Sequence, residues 1–400
     1  MIKNHIFVQI IILFLAPLWV RGQSFERLFT DDVRSDSLRH GLLALEVDNL
    51  NFFKNNEFNS TSQKGYTLPG FRLQVKTVYN ALPNLRVEAG VHSIWFWGAT
   101  RYPAFAYKGL PKWNGKDNSN IVHVTPLLRS HLSLSDNADI ILGSLYGGAN
   151  HHLIEPLYNP ELNLSSDPEA GVQFLYNNSL ISIDLWVDWM TFIYQNDTQG
   201  EAFTGGTSLR LKLNPSDARL HYYLLAQGVS LHQGGEINVG KSYVNTSFNA
   251  AVGGGLTYNI NNVTLKKVNA EFDLAGYRTL KSGIEKFSGG SGMYAKTSVL
   301  LGNFNLTTAY WYCNNFISMF GSPFYGAVST KIDDMLFRRP QMLYFGADYE
   351  WQPAKGFVFG FNADMFYYLS GSRYSASDGT LQASPFGNNS NIAAGIYIRI

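Results

Sequence analysis

A single cysteine, Cys313, stands in a chain of 400 residues. That count excludes an internal disulfide framework and leaves nothing from which a cysteine-based zinc site could be built. Charge is scarce as well: 15% of the residues are Asp, Glu, Lys or Arg, and the formal net charge is +1. So near-neutral a balance gives no basic excess for nucleic acid or an anionic surface. Past the N-terminus no apolar run reaches the roughly 18 residues of a membrane-spanning helix. No linker, charge block or low-complexity joint divides the chain into domains. What the sequence has instead is glycine and rings: 37 glycines, 23 tyrosines and an aromatic content of 14%.

The N-terminus carries Lys3 and then "IFVQIIILFLAPLWV", Ile6 to Val20, in which Gln9 is the only polar residue. This length suits a secretory leader rather than a bilayer span. Val20 and Gly22 sit at the minus three and minus one positions of a cleavage after Gly22, so residues 1–22 are expected to be a signal peptide. Losing Lys3 and Arg21 would bring the formal charge to −1.

From about residue 42 the dominant signal is period two, apolar against polar. "LRVEAGV" sets Leu85, Val87, Ala89 and Val91 against Arg86 and Glu88, and "ISIDLWVDW" sets Ile181, Ile183, Leu185, Val187 and Trp189 against Asp184 and Asp188. The pattern predicts sixteen strands: 42–53, 66–80, 84–97, 120–134, 138–147, 169–177, 179–194, 203–213, 217–229, 248–259, 263–277, 292–301, 303–316, 340–351, 356–369 and 390–400. Connectors are short after even-numbered strands and long after odd-numbered ones, with turn residues in "LPN", "SDNA" and "NINN". A soluble sandwich also alternates, but its connectors need not split into a short end and a long end. A transmembrane barrel demands that split, with strands of about 9 to 11 residues across the bilayer.

With this architecture and the closing strand "NIAAGIYIRI", whose Ile392, Ala394, Ile396, Ile398 and Ile400 form one face, the chain resembles the bacterial outer-membrane β-barrel proteins, Gram-negative and Bacteroidota-type, and among them the porin-like ones. Many members end in Phe or Trp, whereas this chain ends in Ile400. The resemblance implies an all-β, antiparallel up-and-down barrel over 42–400, inserted by the barrel-assembly machinery and surrounded by outer-membrane lipid. Residues 23–41 would form a short periplasmic segment, too short for the plug of a TonB-dependent transporter. Trp95, Trp97, Trp311, Trp351 and Phe357 near strand ends suit interfacial girdles.

Sixteen strands enclose room for an aqueous lumen. By parity the inward, pore-lining set includes Arg72, Lys76, Arg86, Arg129, Arg210 and Arg219, with Asp184, Asp188, Glu271 and Asp273 as acids. Charges facing lipid are costly, so these must meet water or one another. They can form a transverse field across a pore, or pair across strands as Glu46 and Asp48 would with Arg72 and Lys76.

One long loop stands out. "YGGANHHLIEPLYNPE", 146–161, carries His151, His152, Glu155 and Glu161. In sixteen-stranded general porins the corresponding loop folds back and narrows the barrel, which here would bring Glu155, Glu161, Asp167 and Glu169 opposite Arg72, Arg86 and Arg129. The competing reading is chemical. His152 to Glu155 is H-x-x-E spacing, which puts two ligands on one face only in a helix that Pro156 disfavours. An outer-membrane lipase would need a serine and a histidine together on the lipid-facing surface, oriented by a third polar group. Ser93 and His92 are adjacent and therefore face opposite ways. The expectation is thus no enzyme, no metal, no cofactor and no nucleic acid, but a channel for small hydrophilic solutes. The alternative is a surface polysaccharide-binding barrel of the capsule-assembly type, using aromatic loops 97–120 and 320–340. The sequence does not set the solute or the oligomeric state.

Overall fold

A computed structural model describes residues 28–30, 40–97, 123–192, 200–235, 244–260, 262–281, 285–375, 377, 379, 381–382 and 387–400. Sixteen strands form one antiparallel sheet: β1 Leu43–Ser60, β2 Tyr66–Leu82, β3 Leu85–Phe96, β4 His123–Ser135, β5 Ala138–Ser144, β6 Ala170–Asn177, β7 Ile181–Thr191, β8 Ala202–Lys212, β9 Leu220–Gln233, β10 Asn245–Asn259, β11 Leu265–Thr279, β12 Gly289–Leu301, β13 Phe304–Asn314, β14 Met335–Ala354, β15 Phe357–Ser375 and β16 Gly387–Arg399. Each strand pairs with the next, and a two-residue strand, Leu381–Gln382, adds to the edge of β15. β16 returns to β1 in a register running from Leu50↔Arg399 to Phe58↔Asn391, so the sheet closes and no edge remains.

Alternation in the sequence becomes a lipid face and a lumen face. On β1, Leu43, Leu45, Val47 and Phe53 are exposed outward while Leu50, Phe52, Asn56 and Phe58 are buried inward. On β16, Ile392 and Ile396 are exposed and Ala393 and Tyr397 buried, and Ile400 just past its end is exposed as well. Outward apolar side chains are stable here because hydrocarbon, not water, surrounds them.

The connectors separate into two classes. At one rim they are turns of two to seven residues, as at 83–84 and 213–219; at the other they run from five residues (61–65) to more than twenty (145–169). Several strands outrun the expected limits at the loop rim: β1 continues to Ser60 and β14 begins at Met335. Beyond the apolar belt the outward positions turn polar, as in Asn55 and Glu57, so the ladder persists where period two has ended.

Residues 1–22, expected to be a signal peptide, and residues 98–122 lie outside the described residues. Within the segment expected to be periplasmic, Leu28 and Phe29 are buried in the barrel against Leu50, Phe52, Leu68, Leu164 and Tyr397. Arg399 donates to the Thr30 carbonyl at 2.9 Å.

Candidate functional site

The loop half of the lumen is filled by two inward-folded segments. The β5–β6 loop, 145–169, makes two short 3-10 turns, Gly148–His151 and Pro160–Leu164. The β13–β14 loop, 315–334, contributes Phe316, Phe320, Phe324, Tyr325 and Ala327, all buried. They meet where Asn159 N donates to Phe320 O at 2.9 Å and Ser318 Oγ to Pro156 O at 2.6 Å. Inward residues of the wall close around them: Trp311 Nε1 donates to Tyr325 O, and Asn249 bonds both Ile317 and Met319. The result is a core of rings including Phe58, Tyr294, Trp311, Phe324, Tyr325, Phe337 and Tyr368. Trp311 therefore belongs to this core and not to a girdle, because β13 turns it inward. The aromatics of 320–340 are likewise buried rather than offered to a glycan, because their faces pack against the wall.

Below this plug a cavity of about 1780 Å³ reaches the short-turn rim, lined by Asn84, Asn137, Asn177 and Asn259 there and roofed by Asn150 to Glu155 and Tyr158 to Glu161. Of the ten charged residues expected to line a pore, Arg210, Asp184 and Glu271 border it. Arg210 lies over the Tyr223 ring at 4.3 Å, and Glu271 accepts from Tyr223 Oη at 2.6 Å. The others sit elsewhere. Glu88 is fully buried among Lys76 (2.8 Å), Arg86 (2.7 Å) and Arg129 (3.1 Å), and Arg72 pairs with Asp48 at 3.2 Å. Asp188 accepts from Ala170 N, and Asp273 is buried inside the wall. Arg219 lies in the β8–β9 turn and donates to Tyr258 Oη on the outer face.

The loop acids do not face the arginines expected for them, since Glu46, Asp48 and Glu88 already hold those. Glu155 pairs with Lys296 at 3.1 Å and accepts from Tyr294 Oη at 3.0 Å. Glu161 pairs with Lys54 at 3.1 Å and accepts from Tyr66 Oη. Asp167 meets His123 at 2.6 Å. His151 is clamped between Asp184 (Nδ1, 2.7 Å) and Glu169 (Nε2, 2.8 Å) and stacks on Trp186 with centroids 3.5 Å apart. Two carboxylates on two ring nitrogens require both nitrogens to donate, so the ring is an imidazolium. Burial alone would lower its pKa, but Glu169 and Asp184 outweigh it and raise it to about 10. Burial pushes Glu155 up, yet Lys296 and Tyr294 hold it below the ordinary glutamate value. His152 takes a left-handed φ of 51°, and its carbonyl accepts from Gln227. The opening stretch of this loop is thus an anchored plug whose polar groups are spent on the wall.

The outer face carries polar groups near the loop rim. On β1 and β2, Thr67 Oγ1 donates to Asn55 Oδ1 (2.8 Å) and Asn55 Nδ2 to Glu57 Oε1 (3.0 Å). Phe71 stacks on Trp95 on the same outer face. On β9 and β10, His232 and Thr246 lie directly opposite each other, 2.8 Å apart at Nδ1 and Oγ1. Sequence reasoning missed this pair because both residues stand at strand ends flanking a loop, where no local spacing relates them.

A closed sixteen-stranded barrel with an apolar outer belt defines an integral, multi-pass outer-membrane protein of porin-like architecture. The family described as lipid A 3'-O-deacylase-type matches residues 33–400, and the chain belongs to it. This overturns the expectation that the protein is not an enzyme: the family is described by an enzymatic activity. Period two reports a barrel wall and is silent about reactive groups brought together on it, which is why the expectation failed. No curated protein matches the chain. Similar solved structures include a loop-deletion form of OmpT from Vibrio cholerae (9% identity, 90% of this chain and 99% of that one, TM-score 0.49). OccAB3 of Acinetobacter baumannii (11%, 90% and 99%, TM-score 0.48) and OprD of Pseudomonas aeruginosa (9%, 93% and 97%, TM-score 0.45) are others. Likenesses at this level concern overall shape and carry nothing about activity.

Proposed function

We propose that this protein hydrolyses an ester-linked acyl chain of lipid A in the outer leaflet. Family membership names the substrate class, and one observation about the chain carries the reading. Hydroxyl, amide, carboxylate and imidazole groups stand on the lipid-facing surface at the loop rim, while the loop half of the lumen behind them is packed with rings. A lipid anchored in the outer leaflet reaches such a surface by lateral diffusion and needs no passage through the barrel. Polar side chains facing hydrocarbon at midplane would cost about 2–4 kcal/mol each for a charge, and the cost falls to nearly nothing at the interface. The rim is therefore where a barrel can keep reactive groups turned outward.

Purified full-length protein, folded in detergent and incubated with lipid A, should yield a product lighter by one acyl chain in mass spectrometry, together with free fatty acid. Intact lipid A after prolonged incubation with folded protein would rule the reading out.

A diffusion channel for small hydrophilic solutes is the second reading, favoured by the 1780 Å³ cavity with Arg210, Asp184 and Glu271 on its wall. Its test is planar-bilayer conductance, where the plug leads us to expect a silent barrel and stepwise openings would restore the channel.

A further inference from the structure

We infer that the outer face of β11–β14 at the loop rim is a docking site for a phosphorylated glycolipid of the outer leaflet, gripped through Arg278, Arg338 and Arg339. The inference stands apart from the hydrolase reading, since it concerns where such a lipid is held and not what is done to it.

Register brings the three arginines together. Arg278 ends the outward row of β11, above the exposed Phe272 and Leu274, and pairs with Gly289 on β12. A Cβ on that glycine would stand 3.6 Å from both Cδ and Nη1 of Arg278. The arginine therefore leans over β12 in the direction of β13, and the bare backbone there leaves it room. Counting on through Ser291↔Asn314 and Tyr312↔Gln341 puts Arg338 and Arg339 of β14 at the level of Arg278. Three strand spacings, about 14 Å, separate them. The row thus spans a sugar headgroup and not a single anion.

On β14 a local irregularity doubles the charge. Consecutive side chains of a regular strand face opposite ways. Here the register with β15 shifts between Arg338 and Gln341, Arg339 takes a φ of 48°, and both arginines are exposed while Phe337 and Pro340 on either side are buried. A β-bulge re-aims side chains and leaves backbone in a sparsely populated conformation. Bonding within the protein does not account for it: among the described residues none of the three guanidinium groups has an ion pair or a hydrogen bond. Asp334, in the loop before β14, is already held by Lys286 Nζ (3.0 Å), Ser375 Oγ (3.0 Å) and the Ser377 amide (2.9 Å).

The wall beneath the arginines is layered as such a lipid is. Among the described residues the outward positions of β11–β15 carry no carboxylate. Just below the arginines come Tyr312, Gln341 and Tyr310, whose Oη donates to Gln341 Oε1 at 3.1 Å. Gln341 is level with Tyr312, so the Tyr310 side chain rises toward the rim. Lower still, Leu274, Leu306 and Phe345 are exposed to hydrocarbon. Cation, polar hydroxyl and apolar belt follow one another in the order phosphate, sugar and acyl chain. An arginine is costly at the membrane midplane but nearly free at the interface, and its planar fork takes phosphate oxygens two at a time.

The test uses full-length protein purified in detergent, with folding of each variant verified by the heat-dependent gel mobility of a barrel. Native mass spectrometry counts bound lipid when the protein is mixed with lipid A bearing two phosphates, with the same lipid after phosphatase treatment, or with phosphatidylglycerol. Arg278→Gln/Arg338→Gln/Arg339→Gln should weaken binding of the phosphorylated lipid A about 10- to 100-fold. Arg219→Gln, which removes a charge at the opposite rim, should leave it unchanged. Stripping the lipid phosphates should weaken binding to the wild type and make no difference to the triple variant, and phosphatidylglycerol should bind the wild type less tightly than lipid A. If the triple variant fails the gel check, Arg278→Gln alone, which lies outside the bulge, should still weaken binding. Wild-type affinity in the arginine variants overturns the site, an equal loss in Arg219→Gln reduces it to overall charge, and phosphatidylglycerol bound as tightly as lipid A refutes the glycolipid. Bound lipid is counted whatever its number of acyl chains, so a failure to release acyl chains would sink the hydrolase reading and leave this one standing.

Discussion

His151 and Glu155 hold the plug by charges whose pH dependence runs in opposite directions. His151 is raised to about 10, so its contribution is complete below the unfolded imidazole pKa and is lost as pH climbs through the raised value. Glu155 is lowered, so its contribution is present above the ordinary glutamate range and disappears as pH falls through the lowered value. The plug should be best anchored from mildly acidic to neutral pH and should loosen toward pH 10. The thermal midpoint of the wild type should fall over that alkaline interval, while that of His151→Gln, already lower at pH 7, should stay nearly flat; parallel curves would refute the clamp. Removing the Glu161 carboxylate with Glu161→Ala leaves Lys54 facing Asp364 alone, at 3.4 Å, and should cost about 1–3 kcal/mol, the scale of a lost hydrogen bond to a charge that keeps one partner. Denaturant unfolding measures it, and a loss below 1 kcal/mol would show the pair to be solvated. The acids of this loop were conspicuous in the sequence, but their partners were not. Lys296 and Lys54 lie on distant strands, β12 and β1, and no local spacing relates them to the loop. His232 and Thr246 were hidden for the same reason, since register alone makes them neighbours.

The strands themselves were legible because lipid on one side and lumen on the other force alternation at every second residue. All sixteen appear close to where that pattern places them, and their errors concentrate at the loop rim. There β1 runs on to Ser60 and β15 to Ser375, past the belt that gives the pattern its contrast. Trp311 shows the limit of reading position from strand ends: its ring is inward and fully enclosed by the second loop. The infolding of that loop left no periodic trace, because loop backbone follows its contacts rather than a repeat. The plug depends on a few backbone conformations. Gly148 has a φ of +62°, and a Cβ there would stand 2.8 Å from Asn163 and from Tyr158 Oη. Gly148→Ala should therefore disturb the turn by strain and by contact together. Hydrogen exchange across 148–164 should speed up in this variant while that of the barrel strands stays unchanged; unaltered exchange would show that the turn tolerates the side chain.

At the scale of the whole molecule, a barrel wide enough for a channel has its loop half occupied by its own chain. Closure of β16 on β1 leaves no edge, and the ring cluster around Trp311 and Tyr325 joins the plug to the wall. Deleting residues 148–164 should convert a silent barrel into one that conducts in a planar bilayer, and a deletion that remains silent would mean that 315–334 seals the lumen alone. On the lipid A hydrolase reading, the reaction belongs to the perimeter, where the outer face meets lipid. The most direct measurement of that claim is the lipid A of Gram-negative cells expressing the full chain in their outer membrane, extracted and weighed by mass spectrometry. The expected result is a new species lighter by one ester-linked acyl chain, absent from otherwise identical cells that do not express the chain. Lipid A of unchanged mass, in cells where the folded wild-type barrel is present, would contradict it.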